Sequence, residues 1–527
     1  MRRSAALIAA LLAPAGVAMA QDLGMRSPGG VAPLTASLDG AGGAQGWRLT
    51  PSLSAGLTWS DNVRLAADGE RVSDWSGRVE PGITLNGRTA RATGLLRASV
   101  DANAYANESD LNRTNLKLFG VGTFDLYERR VMLDANASVS QERISSLGAP
   151  VNGVAYNPNN TTELRQFSVS PYIRGQWSNR ITGELRYRLT LSDSSTTLLS
   201  NGVRQDLSVT LGNGANPAPF GWLLSGSASK NQYEGSNDTE FSNARLFGVY
   251  ALDPTFNLRA DVGYERNTFG VEYSQEQNIY GGGFEWTPSP RTRVTGMTEQ
   301  RFFGTGYNYE ANWRGPQSAL SLSFARDVTT TSSTLNGGQL AGLLLAYTDS
   351  FGKQTADPNE RFRLASQAWI ERGLPLPSQI DGNTTYVTNS YYLEKRARLS
   401  SGINGVRNSI GVSATYSDRT RLVDEALLAP GDELATFDSV EEIGGTIVLS
   451  HRLTPISNLS ALLGASRSTG QNGAAGSVDT RRQTATVTGS TVFGANTVGS
   501  VTYRHEKSRG ATEYDENSVA ATLGLRF

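Results

Sequence analysis

Two histidines, His451 and His505, are the only imidazoles in a chain that has no cysteine. A histidine acting as general base needs a nucleophile within hydrogen-bond reach and a third group to orient the ring. Both instead extend an apolar parity near a strand end, His451 after Ile443, Ile447 and Leu449, and His505 after Val501 and Tyr503. That setting reads as an interfacial position, so an outer-membrane hydrolase is the weakest of three functional readings. No Gly-x-Ser-x-Gly elbow falls at a strand-to-helix junction, no histidine pair has metal spacing, and no Gly-rich loop ends in Gly-Lys-Ser/Thr. Without cysteine there is no disulfide scaffold, cysteine-ligated metal or thiol nucleophile. The acidic residues Asp432-Glu433, Asp438 and Glu441-Glu442 lack the fixed ligand spacing of a Ca²⁺ loop and read as solvated surface. No enzyme activity, cofactor or metal is expected.

The remaining chemistry is in arginines, 43 of the 48 cations, set against 49 carboxylates in 527 residues. The near balance argues against a nucleic-acid partner. Arg186 and Arg188 alternate with Leu185, Tyr187 and Leu189, and Glu184 shares their parity. Arg259, Asp261 and Glu265 alternate with Leu258, Ala260, Val262 and Tyr264. Such segments are strands that face two different solvents. An arginine facing lipid at mid-bilayer costs ~2–4 kcal/mol, so Glu184, Arg186, Arg188, Arg259, Asp261 and Glu265 are expected to line the lumen of a barrel. There they either brace the wall as ion pairs or take part in solute passage, and bracing is the plainer reading.

The elements that would position them are long strands. They run about ten to sixteen residues, against a globular mode of ~5–6, and a tilted membrane strand needs ~9–11. Tight turns near Asn86-Gly87, Glu128-Arg129, Ser178-Asn179, Asp253-Pro254, Pro288 to Pro290, Gly315-Pro316, Gly402 to Gly405, Thr454-Pro455 and Gly494-Ala495 alternate with longer polar connections. Eleven long-side connections imply an all-β, antiparallel, up-and-down transmembrane barrel of about 22 strands, within a range of 18–26. The hairpin near Gly304 is the least marked.

The ends frame this barrel. Met1-Arg2-Arg3, the apolar Ala5 to Val17 and the small-x-small site Ala18-Met19-Ala20 form a signal peptide over 1–20, cleaved before Gln21. Residues 21–46 read as a flexible periplasmic leader and 47–527 as the barrel. Val519, Ala521, Leu523, Leu525 and terminal Phe527 share one parity of a closing strand, similar to the signal read by barrel-assembly machinery. Residues 329–384 form a long insertion. Within it Asp357, Pro358 and Gly373 bound a short helix over 358–372, with Phe362, Ala365 and Trp369 on one face. Two placements stay open for that helix: packed on a loop outside the barrel, or folded into the lumen as a plug.

From Ser60-Asp61-Asn62-Val63 onward, with Leu65, Ser73-Asp74 and the strand containing Glu80-Pro81-Gly82-Ile83, the chain resembles a known group. These are the outer-membrane β-barrel proteins associated with the exosortase and PEP-CTERM sorting system of Gram-negative bacteria. The likeness runs through the mature chain and includes Gly373-Leu374-Pro375. Its motifs are turn and strand residues, so it carries over no functional residues. It implies the outer membrane of a Gram-negative bacterium and a channel or accessory role in exopolysaccharide export. The partners that follow are outer-membrane lipid and lipopolysaccharide, the barrel-assembly machinery, an exopolysaccharide and a periplasmic export component. The alternative is a structural or adhesive surface barrel with a closed lumen.

Overall fold

The computed structural model describes residues 46–149, 158–176, 181–196, 201–213, 219–234, 238–269, 276–329, 391–424, 428, 432–473, 476–494 and 496–527. The expected signal peptide with its cleavage site, the leader up to residue 45, and the insertion from residue 330 with its proposed helix all lie outside the described residues, while Thr329 ends a strand. The first strands are β1 (Gly46–Ser60), β2 (Asp74–Arg88), β3 (Ala92–Tyr105), β4 (Arg113–Tyr127), β5 (Val131–Arg143) and β6 (Thr161–Gln176). Next come β7 (Thr182–Ser194), β8 (Gly202–Gly212), β9 (Phe220–Tyr233), β10 (Thr239–Asp253) and β11 (Phe256–Asn267). They are followed by β12 (Glu276–Ser289), β13 (Thr292–Arg301), β14 (Gly304–Arg314), β15 (Ser318–Thr329) and β16 (Tyr392–Asn404). The last are β17 (Asn408–Arg421), β18 (Ser439–Arg452), β19 (Ser457–Gly473), β20 (Gly476–Gly494), β21 (Thr497–Gly510) and β22 (Tyr514–Arg526). One helical turn, α1 (Glu433–Thr436), precedes β18.

Each strand pairs antiparallel with its sequence neighbours, and β22 returns to β1 in register from Ser52↔Arg526 to Ser60↔Ser518. The sheet is therefore a closed 22-stranded barrel with no free edge. The even strand number puts the start of β1 and the end of β22 at the short-turn end, beside connections such as 128–130, 254–255 and 405–407. Residues 61–73, 144–160, 330–391 and 422–438 connect strands at the opposite, loop end.

Several local expectations shift. Strand lengths reach 17 residues in β19 and 19 in β20, because that pair keeps laddering around a bulge between Gly470 and Gly473. Asn86-Gly87 is not a turn but lies in the β1–β2 ladder opposite Arg48 and Trp47. A Cβ on Gly87 would stand 2.8 Å from the Trp47 ring, so this glycine serves the packing of Trp47. The chain reverses instead at 89–91, where the Thr89 hydroxyl accepts a hydrogen bond from the Ala92 N–H at 3.0 Å. The β8–β9 connection gave no turn signal of the kind sought. It is framed by Asn213, whose side chain accepts from the Trp222 N–H at 2.8 Å and donates to the Phe220 carbonyl at 3.0 Å. The weakly marked hairpin is real: Phe302-Phe303 reverses the chain between paired Arg301 and Gly304, and Gly304 takes a φ of 92°.

The outer face follows from the alternation. Leu258, Val262 and Tyr264 are exposed, while Arg259, Asp261 and Glu265 on the other parity are buried. Leu57, Val79, Ile83, Phe167, Leu185, Leu207 and Leu246 extend the apolar exterior to other strands. So continuous an apolar exterior suits lipid and not water. Val262 is 58% exposed beside Leu246 and Tyr280. Val262→Arg should cost ~2–4 kcal/mol of barrel stability in a bilayer and Val262→Ala well under half of that. Unfolding in lipid vesicles checks this, and equal midpoints for the two variants would contradict a lipid-facing position. Of the proposed assembly signal, Val519, Ala521, Leu523 and Phe527 are exposed and Leu525 is half-buried, and the Phe527 N–H donates to the Pro51 carbonyl at 3.0 Å.

Candidate functional site: the charged inner face and its covered mouth

The six residues singled out from sequence fall on two strands, β7 and β11, and do not join one ion network. On β7, Arg186 donates from Nε to Glu184 at 2.7 Å and from Nη1 to Asp134 of β5 at 2.6 Å. Its guanidinium also lies 3.7 Å over the Tyr172 ring of β6. Arg188 is half-buried on the same parity. On β11, Arg259 pairs with Glu285 of β12, which also holds Arg293 at 2.9 Å. Glu265 is fully buried and accepts from Arg301 Nε at 2.9 Å and from the Phe302 N–H at 2.9 Å. Asp261 lies across Gly281 from Glu299, and its two oxygens accept no hydrogen bond among the described residues. Elsewhere on the inner face Arg245 meets Glu299 at 2.9 Å and Arg78 meets Asp101 at 2.8 Å. Pairing a buried guanidinium with a carboxylate on a neighbouring strand satisfies both groups and ties the strands together.

The loop end holds an arrangement that sequence reading missed. After β5 the chain turns inward, and residues 144–149 reach strands far around the ring. The Ser146 N–H and hydroxyl donate to Glu433 of α1 at 2.8 and 2.9 Å, and the Ser145 hydroxyl adds a bond at 2.7 Å. Arg143 meets Glu442 of β18 at 3.3 Å. The Leu147 carbonyl accepts from Thr480 and from Thr512, both at 2.9 Å, and Arg482 donates to the Gly148 carbonyl at 2.7 Å. β5 and β18 stand nine places apart in a ring whose largest separation is eleven. The segment is therefore a strap across the mouth. Asn160 holds its root, accepting from the Ser145 N–H at 2.8 Å and donating to the Ala149 carbonyl at 2.8 Å.

A second cover is apolar. Phe241, Phe269, Phe302, Phe303, Val328, Tyr391, Leu393, Leu422 and Val423 form one buried cluster at the loop end. The Tyr391 hydroxyl bonds Ser229 of β9 at 2.6 Å, and its ring lies 4.6 Å from that of Phe269. The sequence did carry a signal for this, since Phe302-Phe303 and Leu422-Val423 are apolar pairs at strand connections, where polar residues are usual.

The acidic loop residues need correction. Asp432, Glu433 and Glu442 are not solvated surface but buried. Asp432 accepts from the Leu434 N–H at 3.0 Å and caps α1, and Glu433 is the anchor of the strap. Burial pushes the Glu433 carboxyl above its ordinary range, partly opposed by the hydrogen bonds from Ser145 and Ser146. His451 is exposed and its Nδ1 lies 2.6 Å from the Asn408 side-chain oxygen. His505 is half-buried, with Nδ1 3.0 Å from Asn517 and Nε2 3.7 Å from Asp515. Among the described residues no group of three or more His, Asp or Glu side chains is placed to hold a metal.

Comparison with solved structures places this architecture. The siderophore receptor PirA from Acinetobacter baumannii is similar, with a TM-score of 0.50 at 9% identity over 92% of this chain and 81% of that one. PirA from Pseudomonas aeruginosa gives 0.45 at 10% identity over the same shares. A variant of the ferric enterobactin receptor PfeA from Pseudomonas aeruginosa gives 0.48 at 10% identity, again over 92% and 81%. No family model matches the chain, and no curated protein matches it. At 9% identity the likeness to the Acinetobacter receptor is one of fold and carries no ligand over.

Proposed function

We propose that the chain is an outer-membrane conduit in the export of a surface polysaccharide, with a strap across its outward mouth. The observation that supports this best is the conjunction of a polar, charged inner face with a mouth spanned by bonds from the end of β5 and the residues after it to α1, β18 and β20. An inert cylinder has no need of a strap that joins strands nine places apart. A hydrogen-bonded cover can be released and re-formed, as a gate requires. The apolar exterior and the closed 22-stranded fold support the membrane location, and the short turns then face the periplasm. The resemblance to the exosortase-associated barrels supports the polysaccharide.

The test is polymer secretion by a strain lacking this chain, with the chain restored from a plasmid. Loss of extracellular polysaccharide, recovered on complementation, is expected. Unchanged secretion would refute the export reading. It would favour the second one, a surface barrel whose lumen stays closed, for which the covered mouth is the supporting observation.

A further inference from the structure

The overall charge of −1 conceals an axial separation. Deeper in the barrel the buried arginines Arg186 and Arg245 face carboxylates, and so does Arg301 at the loop end. At the short-turn end the pattern changes. Trp47-Arg48, Trp313-Arg314 and Arg526-Phe527 are strand-end dipeptides in which the exposed aromatic keeps the parity of the apolar exterior. The arginine beside it takes the inner parity. Arg88, Arg174 and Arg452 occupy inner-parity positions at the ends of β2, β6 and β18, opposite Thr93, Glu184 and Asn458. Arg48, Arg88, Arg314 and Arg526 are exposed, in contrast to the buried arginines deeper in the barrel.

The carboxylates within three residues of these turns are engaged locally. Asp125 accepts from the Arg129 N–H at 2.7 Å, Asp253 from the Thr255 N–H at 2.6 Å, and Glu184 from Arg186. Glu128, at a turn tip, is followed directly by Arg129 and Arg130.

We infer that the short-turn mouth is a cationic vestibule that receives a polyanionic chain, one bearing a carboxylate or phosphate group on its repeating unit. Rings of arginine select anions in pores, and the planar guanidinium matches a carboxylate or phosphate two bonds at a time. A concave rim of one sign also concentrates counter-charged solute before entry. The inner parity of these arginines aims them at the lumen and not at lipid headgroups, where Trp47, Trp313 and Phe527 sit. This inference rests on the export reading and adds the substrate class: an acidic polysaccharide entering from the periplasm.

The experiment uses the full-length protein in nanodiscs, with oligogalacturonate as the acidic probe and maltodextrin of matched length as the neutral one, read by calorimetry. Oligogalacturonate is expected to bind, to weaken about tenfold between low and high salt, and to weaken at least about tenfold in Arg48→Gln/Arg88→Gln/Arg314→Gln/Arg526→Gln. Maltodextrin should not compete. Arg467→Gln/Arg481→Gln at the loop end is expected to leave binding unchanged. Heat-modifiable migration confirms that each variant is a folded barrel. Equal binding of the neutral probe, or undiminished binding by the quadruple variant, overturns the inference even where the deletion strain has lost secretion. Rim-dependent binding alongside normal secretion upholds the polyanion site while removing export as its purpose.

Discussion

Glu265→Ala is expected to destabilise the barrel by ~3 kcal/mol, the lower end of the ~3–5 kcal/mol typical when one partner of a buried ion pair is removed. The carboxylate has no solvent exposure and accepts from two donors, the Arg301 Nε and the Phe302 N–H, while the Arg301 terminal nitrogen lies 2.7 Å away as its ion-pair partner. Its loss leaves Arg301 buried with Asp327 at 3.1 Å and Glu299 at 3.5 Å, which is why the low end applies. It also orphans the N–H that starts the Phe302-Phe303 hairpin, so the damage reaches the apolar cover. Glu265→Gln keeps an acceptor for Phe302 and should cost roughly half as much. Glu265→Leu with Arg301→Leu should be less harmful than the sum of the single changes, since the pair's desolvation cost disappears with the pair. Guanidinium unfolding in detergent reads the parent, these three variants and the two single leucine changes. Additivity of the double change, or a Glu265→Ala midpoint equal to that of the parent chain, would falsify the coupling.

What the sequence made legible was whatever depends on near neighbours. The alternation from Leu258 to Glu265 records two solvents on one strand, and it needs no knowledge of the rest of the ring. The even count of 22 followed from two classes of connection, and it survived errors at single turns because every hairpin adds two strands. Asn86-Gly87 misled because a glycine can serve a partner's ring instead of a turn, as Trp47 shows. The strap was not legible. Arg143 with Glu442, and Ser146 with Glu433, are joined only because the sheet closes, and closure appears nowhere in a local pattern. The same reason explains the misread acidic loop, since exposure of Glu433 is decided by a segment 287 residues away. The cationic rim was hidden differently. Inner arginines and carboxylates balance over the whole chain, and only strand ends reveal that they are sorted by height.

Releasing the strap should open the barrel. Glu433 receives hydrogen bonds from the Ser145 hydroxyl, the Ser146 hydroxyl and N–H, and the Leu147 N–H at 3.3 Å. Hydrogen bonds to a charged group contribute ~1.5–3 kcal/mol net. Glu433→Ala should therefore raise the open probability in a planar bilayer by roughly tenfold to a hundredfold, at ~1.4 kcal/mol per factor of ten. Burial raises the Glu433 carboxyl while the strap's Ser145 and Ser146 hold it down. Glu433→Gln keeps an acceptor for these serines and should open the barrel less than Glu433→Ala does. Ser146→Ala removes one donor and should open the barrel less than Glu433→Ala does. A Glu433→Ala barrel that conducts no better than the parent would show that the strap is not what closes the mouth. The apolar cluster around Phe302 and Tyr391 would then be the seal, with Tyr391→Ala the variant that opens it.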